Sequence, residues 1–300
     1  MFNVILVPLD GSRNAESALE TAADLAQRDG ATVLLAHADT PGNPIFVEGA
    51  PMDEEGFPVP GAHEAAYLEQ VQSHLQQNWH IEVTYRVLQQ PGASPAELLA
   101  ACAQTEQVGF IVMTTHGRGG LDRLWLGSVV DHLVRVSHAP VLLIRPTEMH
   151  SLLPRLQRVL VPLDGSLMAE QILPVAARIA ELLSAELRLI RVVDCLEGVQ
   201  VNQFGVVWAS PSPHVAQHLE EASAYLEAIR CQLPQALHTS VQAIPAPSPA
   251  EGILEEARSL AGTLVAMTTH ARRRLERLLL GSVADKIMRS TSPILLYRPK

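Results

Sequence analysis

Val4–Leu9 is an unbroken apolar run, the pattern of a strand buried on both faces of a parallel sheet. Ser12 then stands where a helix N-cap is needed. Behind it Ala15, Ala18, Leu19, Ala22, Leu25 and Ala26 follow three- and four-residue spacing, and Asp29-Gly30 can end the helix. Thr32–Ala38 reads as a second strand. Ser94-Pro95-Ala96-Glu97 has the residues of a capping box with proline at the first helical position, so a helix starts there. A strand at Val108–Met113, an amphipathic helix at Val129–Val136 opened by Gly127-Ser128, and a last apolar strand at Val141–Arg145 complete the series.

The whole series recurs. Val-Pro-Leu-Asp-Gly-Ser at 7–12 returns at 161–166, Ser94-Pro-Ala-Glu97 returns at Ser248–Glu251, and Thr114-Thr-His116 returns at Thr268-Thr-His270, all at an offset of 154. Between Thr114–Arg135 and Thr268–Arg289, 13 of 22 positions are identical. A period this long marks a duplicated domain rather than a solenoid repeat. The expected organisation is a first domain at 1–147, a linker at 148–157 and a second domain at 158–300. Alternating strands and helices with right-handed crossovers give each copy a doubly wound, Rossmann-like α/β fold of five parallel strands. Pro174 falls inside the second copy's first helix and is expected to kink it. The Pro- and Gly-rich connections Thr40–His63 and Asp194–His214 carry little periodicity and are candidate lids.

The net charge of −10 lies wholly in the first half: residues 1–154 carry 7 basic and 18 acidic side chains, a balance of −11, and residues 155–300 carry 15 and 14. Overall acidity argues against a nucleic-acid partner. No apolar run approaches the length of a membrane span, and the N-terminus reads as a strand rather than a signal, so a soluble, cytoplasmic protein is expected. Cys102, Cys195 and Cys231 lack metal or disulfide spacing and read as reduced core thiols.

In doubly wound sheets ligands gather at the carboxyl ends of the strands. Two polar clusters fall there: Asp10 after the first strand, and Thr114–Gly120 after the fourth. Gly117, Gly119 and Gly120 can bring backbone amides close to an anion, and Gly127-Ser128 offers a helix start with free N–H groups and a hydroxyl. The same glycines would also serve simply to end and begin helices, and Asp10 to make a turn. His116 and His270 lack companion ligands at metal spacing, so no metal site is expected there.

With Val-Pro-Leu-Asp-Gly-Ser, Thr-Thr-His-Gly-Arg-Gly-Gly and Leu-Gly-Ser-Val, the chain resembles the universal stress protein family, as a tandem two-domain member. The family's ATP motif is Gly, two residues, Gly, nine residues, then Gly and Ser or Thr. In the first copy Thr114 replaces the leading Gly, while Gly117, Gly127 and Ser128 match. In the second, Thr268 and Ala271 replace both leading glycines, while Gly281 and Ser282 remain. The resemblance implies ATP as ligand, with or without Mg2+. It puts Asp10 and Ala38 on the adenosine side, and Thr114, His116 and Val129 near the phosphates or base. The second-copy counterparts are Asp164, Val192, Thr268, His270 and Val283, in a weaker site.

The first copy contains no lysine, and the chain has no Walker sequence, GxSxG or HExxH, so ATP hydrolysis would be slow and incidental. A nucleotide-dependent stress regulator is therefore expected. The alternatives are a nucleotide-independent, chaperone-like interaction module and a slow ATPase. The resemblance further implies pairing through the last strand: Val141–Arg145 and Ile294–Arg298 would join the two copies as a pseudo-two-fold pair, and two chains could associate further as a dimer.

Overall fold

A computed structural model of the chain describes residues 2–39, 61–115, 127–145, 156–201, 207–211, 214–269, 282–288 and 293–299. The chain divides into two compact units, Met1–Leu153 with Leu295–Arg298, and Pro154–Ile294.

The first unit runs β1 (Val4–Pro8), α1 (Arg13–Glu16), α2 (Leu19–Asp29), β2 (Thr32–Ala38), α3 (Ala62–Trp79), β3 (Val83–Leu88), α4 (Pro95–Thr105), β4 (Phe110–Thr114), α5 (Ser128–Val136) and β5 (Val141–Ile144). Its strands lie parallel in the order β3-β2-β1-β4-β5. The winding direction reverses between β1 and β4, which opens a crevice at their carboxyl ends. The apolar run predicted for β1 is buried as read, with Ile5, Leu6 and Val7 fully inaccessible beside Phe110, Ile111 and Val112 of β4. Phe2 stacks on Phe110 at 5.1 Å between ring centres.

The second unit runs β6 (Arg158–Pro162), α6 (Leu167–Glu170), α7 (Leu173–Leu183), β7 (Glu186–Asp194), β8 (Leu196–Val201), β9 (Val207–Pro211), α8 (Val215–Arg230), β10 (Thr239–Ala246), α9 (Pro249–Arg258), β11 (Thr263–Thr268) and α10 (Ser282–Met288); the last strand, β12 (Ile294–Tyr297), follows, and all of it but Ile294 is counted in the first unit. Parallel pairing links β10 to β7, β7 to β6 and β6 to β11. Both units are doubly wound α/β sheets. Even the strand-end bonds recur: Ile111 N donates to the Pro140 carbonyl at 2.8 Å, and Val265 N to that of Pro293 at 3.1 Å.

Three local expectations are corrected. The helix after the first strand is broken in both units, between α1 and α2 and between α6 and α7. Ala18 N reaches back only three residues to Ala15 O, and Ile172 N does the same to Ala169 O. The break is thus common to the repeat. Pro174 does not cause it; it sits in the first turn of α7, where a missing N–H costs no helical bond. The connection 194–214 holds an antiparallel hairpin, β8 with β9, whereas 40–60 lies outside the described residues. Of the cysteines only Cys102 is buried; Cys195 is half-buried and Cys231 exposed, all three free. Among the described residues no helix is long and apolar enough to cross a membrane.

Candidate functional site

At the carboxyl end of β1, Asp10 folds back on its own loop. Its Oδ1 accepts from Ser12 N at 2.9 Å and from Ser12 Oγ at 2.6 Å, and Ser12 Oγ accepts from Ala15 N at 3.2 Å to cap α1. Asp10 therefore has the turn role and still stands half-exposed at the strand end. The second unit repeats the turn, with Ser166 N donating to Asp164 Oδ1 at 2.9 Å and Ser166 Oγ capping α6.

At the carboxyl end of β4, Thr114 and Thr115 are buried, and Thr115 N is tied to Ile144 O at 2.9 Å. Gly127 N then donates to Thr115 O at 3.0 Å, which brings the start of α5 to the end of β4. Gly127 is the N-cap and supplies no side-chain cap; Ser128 is exposed and Val129 half-exposed. The first amides of α5 have no acceptor within their own helix. By contrast Ser12 and Ser94 cap their helices with hydroxyls. Gly127 itself has φ −59° and, among the described residues, no neighbour nearer than 3.4 Å to its Cβ position; as a glycine it brings no side chain that could cap the helix.

Ala38 ends β2 beside β1, half-exposed. Its counterpart Val192 lies in β7, with Thr268 buried at the end of β11 and Ser282 and Val283 opening α10. His116, Gly117, His270, Ala271 and Gly281 lie outside the described residues. The structure thus brings Asp10, Ala38, Thr114, Gly127, Ser128 and Val129 to the carboxyl ends of β1, β2 and β4 and the start of α5.

Residues flanking Ala38 escaped the sequence reading. His37 is 1% exposed, and its Nδ1 lies 2.8 Å from the Leu9 carbonyl. Asp39 Oδ2 accepts from Gln89 Nε2 at 2.7 Å. Glu64, in the first turn of α3, is buried. Ligand atoms of His37, Asp39 and Glu64 lie within 4.8 Å of one another. Gly61 makes this fit possible: its φ is +78°, and a Cβ there would stand 3.0 Å from Gln89 Nε2. The available signal was His-x-Asp at a strand end, since residues two apart share a face.

The second unit puts different chemistry at this level. Arg191, the repeat partner of His37, carries its guanidinium 5.2 Å from the Tyr225 ring centre and 3.3 Å from where a Cβ on Gly165 would stand. Burial, then the hydrogen bond and charge of Glu170, push the Tyr225 phenol upward against the opposing pull of Arg191.

Comparison with known proteins agrees with this architecture. The model of the universal stress protein family matches the chain twice, over residues 1–145 and 155–298. A universal stress protein of Thermus aquaticus is 33% identical over 145 residues, covering 48% of this chain and all of the relative. One of Methanocaldococcus jannaschii is 26% identical over 154 residues, covering 48% of this chain and 83% of its own. Among solved structures, a universal stress protein of Archaeoglobus fulgidus superposes with a TM-score of 0.69 at 19% identity over the full length of both chains. A putative universal stress protein of Pseudomonas aeruginosa also gives 0.69, at 18% identity over 99% of this chain and 94% of that one. With both halves of the chain matched, it belongs to the universal stress protein family.

Proposed function

We propose that the protein is a nucleotide-dependent stress regulator whose first unit binds an adenine nucleotide, ATP foremost, in the crevice between β1 and β4. The observation that carries the reading is the start of α5, which has no side-chain cap among the described residues and is held against the end of β4 by the bond from Gly127 N to Thr115 O. Such a helix start combines free amides with about half a positive charge. That local potential can hold a small polyanion in a unit whose net charge is strongly negative.

The donor set suits the ligand. Amides of Ser128 and Val129 and the Ser128 hydroxyl would take phosphate oxygens, Asp10 the ribose hydroxyls, and the backbone at Ala38 the base. A bound Mg2+ would supply charge neutralisation between phosphates. In the second unit Arg191 stands over the Asp164-Gly165 turn, which supports a weaker site there.

The test is mass analysis of ligand released from the denatured protein, followed by calorimetric titration with ATP. One dominant site per chain is expected, and Ser128→Asp, which sets a carboxylate against the phosphates, should weaken it by about tenfold or more. Two equal tight sites, or no binding to the wild type, would overturn the proposal.

A further inference from the structure

We infer that His37, Asp39 and Glu64 form a binding site for a divalent first-row transition ion, one per chain, in the first unit. The protonation of the imidazole follows from its partner. A carbonyl oxygen only accepts, so the contact between His37 Nδ1 and Leu9 O at 2.8 Å fixes the proton on Nδ1. In the neutral ring, the form that ligates metals, Nε2 then offers the lone pair. It is buried and has no hydrogen-bond partner among the described residues, on a side chain that is 1% exposed. A buried acceptor left in this state costs about 1–3 kcal/mol, and a cation removes the cost.

Two carboxylates stand with it. Asp39 lies one residue past the end of β2 and two from His37, its N–H still bonded to Leu88 O at 2.9 Å, so it continues the strand's alternation. The first turn of α3 brings Glu64 to the same place, so that ligand atoms of all three converge within 4.8 Å. Donors on a tetrahedral ion with bonds near 2.0–2.2 Å sit about 3.3–3.6 Å apart. Small rotations of the Asp39 and Glu64 side chains close that difference.

The surroundings have the form of a metal site's outer shell. A ligating histidine usually donates its other ring N–H to a carbonyl or carboxylate, and ligating carboxylates are themselves hydrogen-bonded. Here Leu9 O takes the first role, and Gln89, donating to Asp39 Oδ2 at 2.7 Å, takes the second. One imidazole nitrogen with two carboxylate oxygens suits Zn2+, Mn2+ or Co2+ better than Mg2+, which prefers an all-oxygen shell. The second unit has Arg191 and Val193 at the positions of His37 and Asp39, so one ion per chain follows.

The experiment uses the full chain, treated with chelator and free of nucleotide, titrated with Zn2+ and followed with Co2+ as a spectroscopic probe. One equivalent is expected, with Co2+ giving a visible absorption band of low coordination number. Glu64→Gln and Asp39→Asn, which preserve volume, should each weaken Zn2+ binding by roughly a hundredfold and abolish the band; Gln89→Ala should weaken binding by about tenfold. Circular dichroism checks that each variant is folded. Unchanged affinity in both carboxamide variants, no stoichiometric binding by the wild type, or equal competition by Mg2+ would overturn the proposal. Nucleotide takes no part in this titration, so its outcome is independent of the ATP site.

Discussion

The two units carry opposite solutions at the start of their second strands. In the second unit Arg158 of β6, Glu186 and Arg188 of β7 and Glu256 of α9 form a connected ion network. Arg158 Nε meets Glu186 at 2.8 Å and its Nη1 meets Glu256 at 3.4 Å, while Arg188 Nε meets Glu256 at 3.1 Å. These side chains are only 15–18% exposed. The repeat positions in the first unit are Val4, Thr32, Leu34 and Cys102. There Leu34 and Cys102 are buried, and burial pushes the Cys102 thiol upward. One backbone thus tolerates either an apolar contact or four charges, provided that the charges are mutually paired. Divergence after duplication moved charge without moving strands, which is how halves of such different net charge share one fold.

The largest test removes one member of that network. Glu256→Ala leaves Arg158 and Arg188 each short of a partner and should cost about 2–3 kcal/mol, less than the ~3–5 of a fully buried pair because water reaches these groups. Cys102→Ala at the matching position should cost only about 1 kcal/mol, the transfer value of one small buried group. Urea unfolding of both variants measures the difference. Equal losses would mean that the network contributes no more than the thiol it replaced.

Acid should separate the units next. Burial works to raise Glu186, but hydrogen bonds from Ser240 and Arg158 and the charges of Arg158 and Arg188 outweigh it and hold the carboxyl below its ordinary 4.5. A carboxyl held low in the fold contributes stability that is present above its unfolded value and is lost as pH falls through its folded one. Amide protection in β6 and β7, taken relative to the intrinsic exchange rate at each pH, should therefore fall below about pH 4.5. In Glu186→Gln that pH dependence should flatten, and an unchanged profile would contradict the assignment.

The duplicated tyrosines give a smaller contrast. Tyr67 donates to Glu16 at 2.8 Å and Tyr225 to Glu170 at 2.9 Å. Phenylalanine at either position should cost about 1 kcal/mol, one partly exposed hydrogen bond. Tyr225 also carries the Arg191 guanidinium over its ring face, a contact that Phe retains and Ala loses. Tyr225→Ala should therefore cost more than Tyr225→Phe in thermal unfolding, and Arg191→Ala should narrow that gap.

These contrasts also show what a sequence can reveal. Local signals were legible because their physics is local: Ser12 and Ser94 cap the helices that follow them, and Gly30 ends α2 in the left-handed region. The run Val4–Leu9 announced a buried strand since nothing polar interrupts it. The network was not legible, because Arg158 and Glu256 are 98 residues apart and each reads alone as a surface charge. His37 was passed over for a related reason. Its carboxylate partner Glu64 arrives from another element, α3, whereas His116 is marked locally by the glycines that follow it. The break between α1 and α2 left no mark either: Ser17 and Ala18 keep right-handed angles, so only the bonding pattern tightens.

The smallest expected effect lies at the matching caps. Ser94 has a complete box: its hydroxyl accepts from Glu97 N, and Glu97 returns a bond from Ser94 N at 2.8 Å. Ser248 accepts from Glu251 N at 3.3 Å. Glu251 meets Lys286 instead, at 3.2 Å between side chains that are about half exposed. Glu97→Ala therefore removes an acceptor from a backbone amide that the helix needs satisfied, and Glu251→Ala removes a solvent-screened ion pair. The first should cost about 0.5–1 kcal/mol and the second no more than a few tenths. Raising the salt concentration should erase the Glu251 effect and leave that of Glu97, since screening weakens an exposed pair far more than a hydrogen bond to backbone. Helix-specific hydrogen exchange in α4 and α9 measures both. The two helices would have to respond alike, and with the same salt dependence, for the caps to be equivalent.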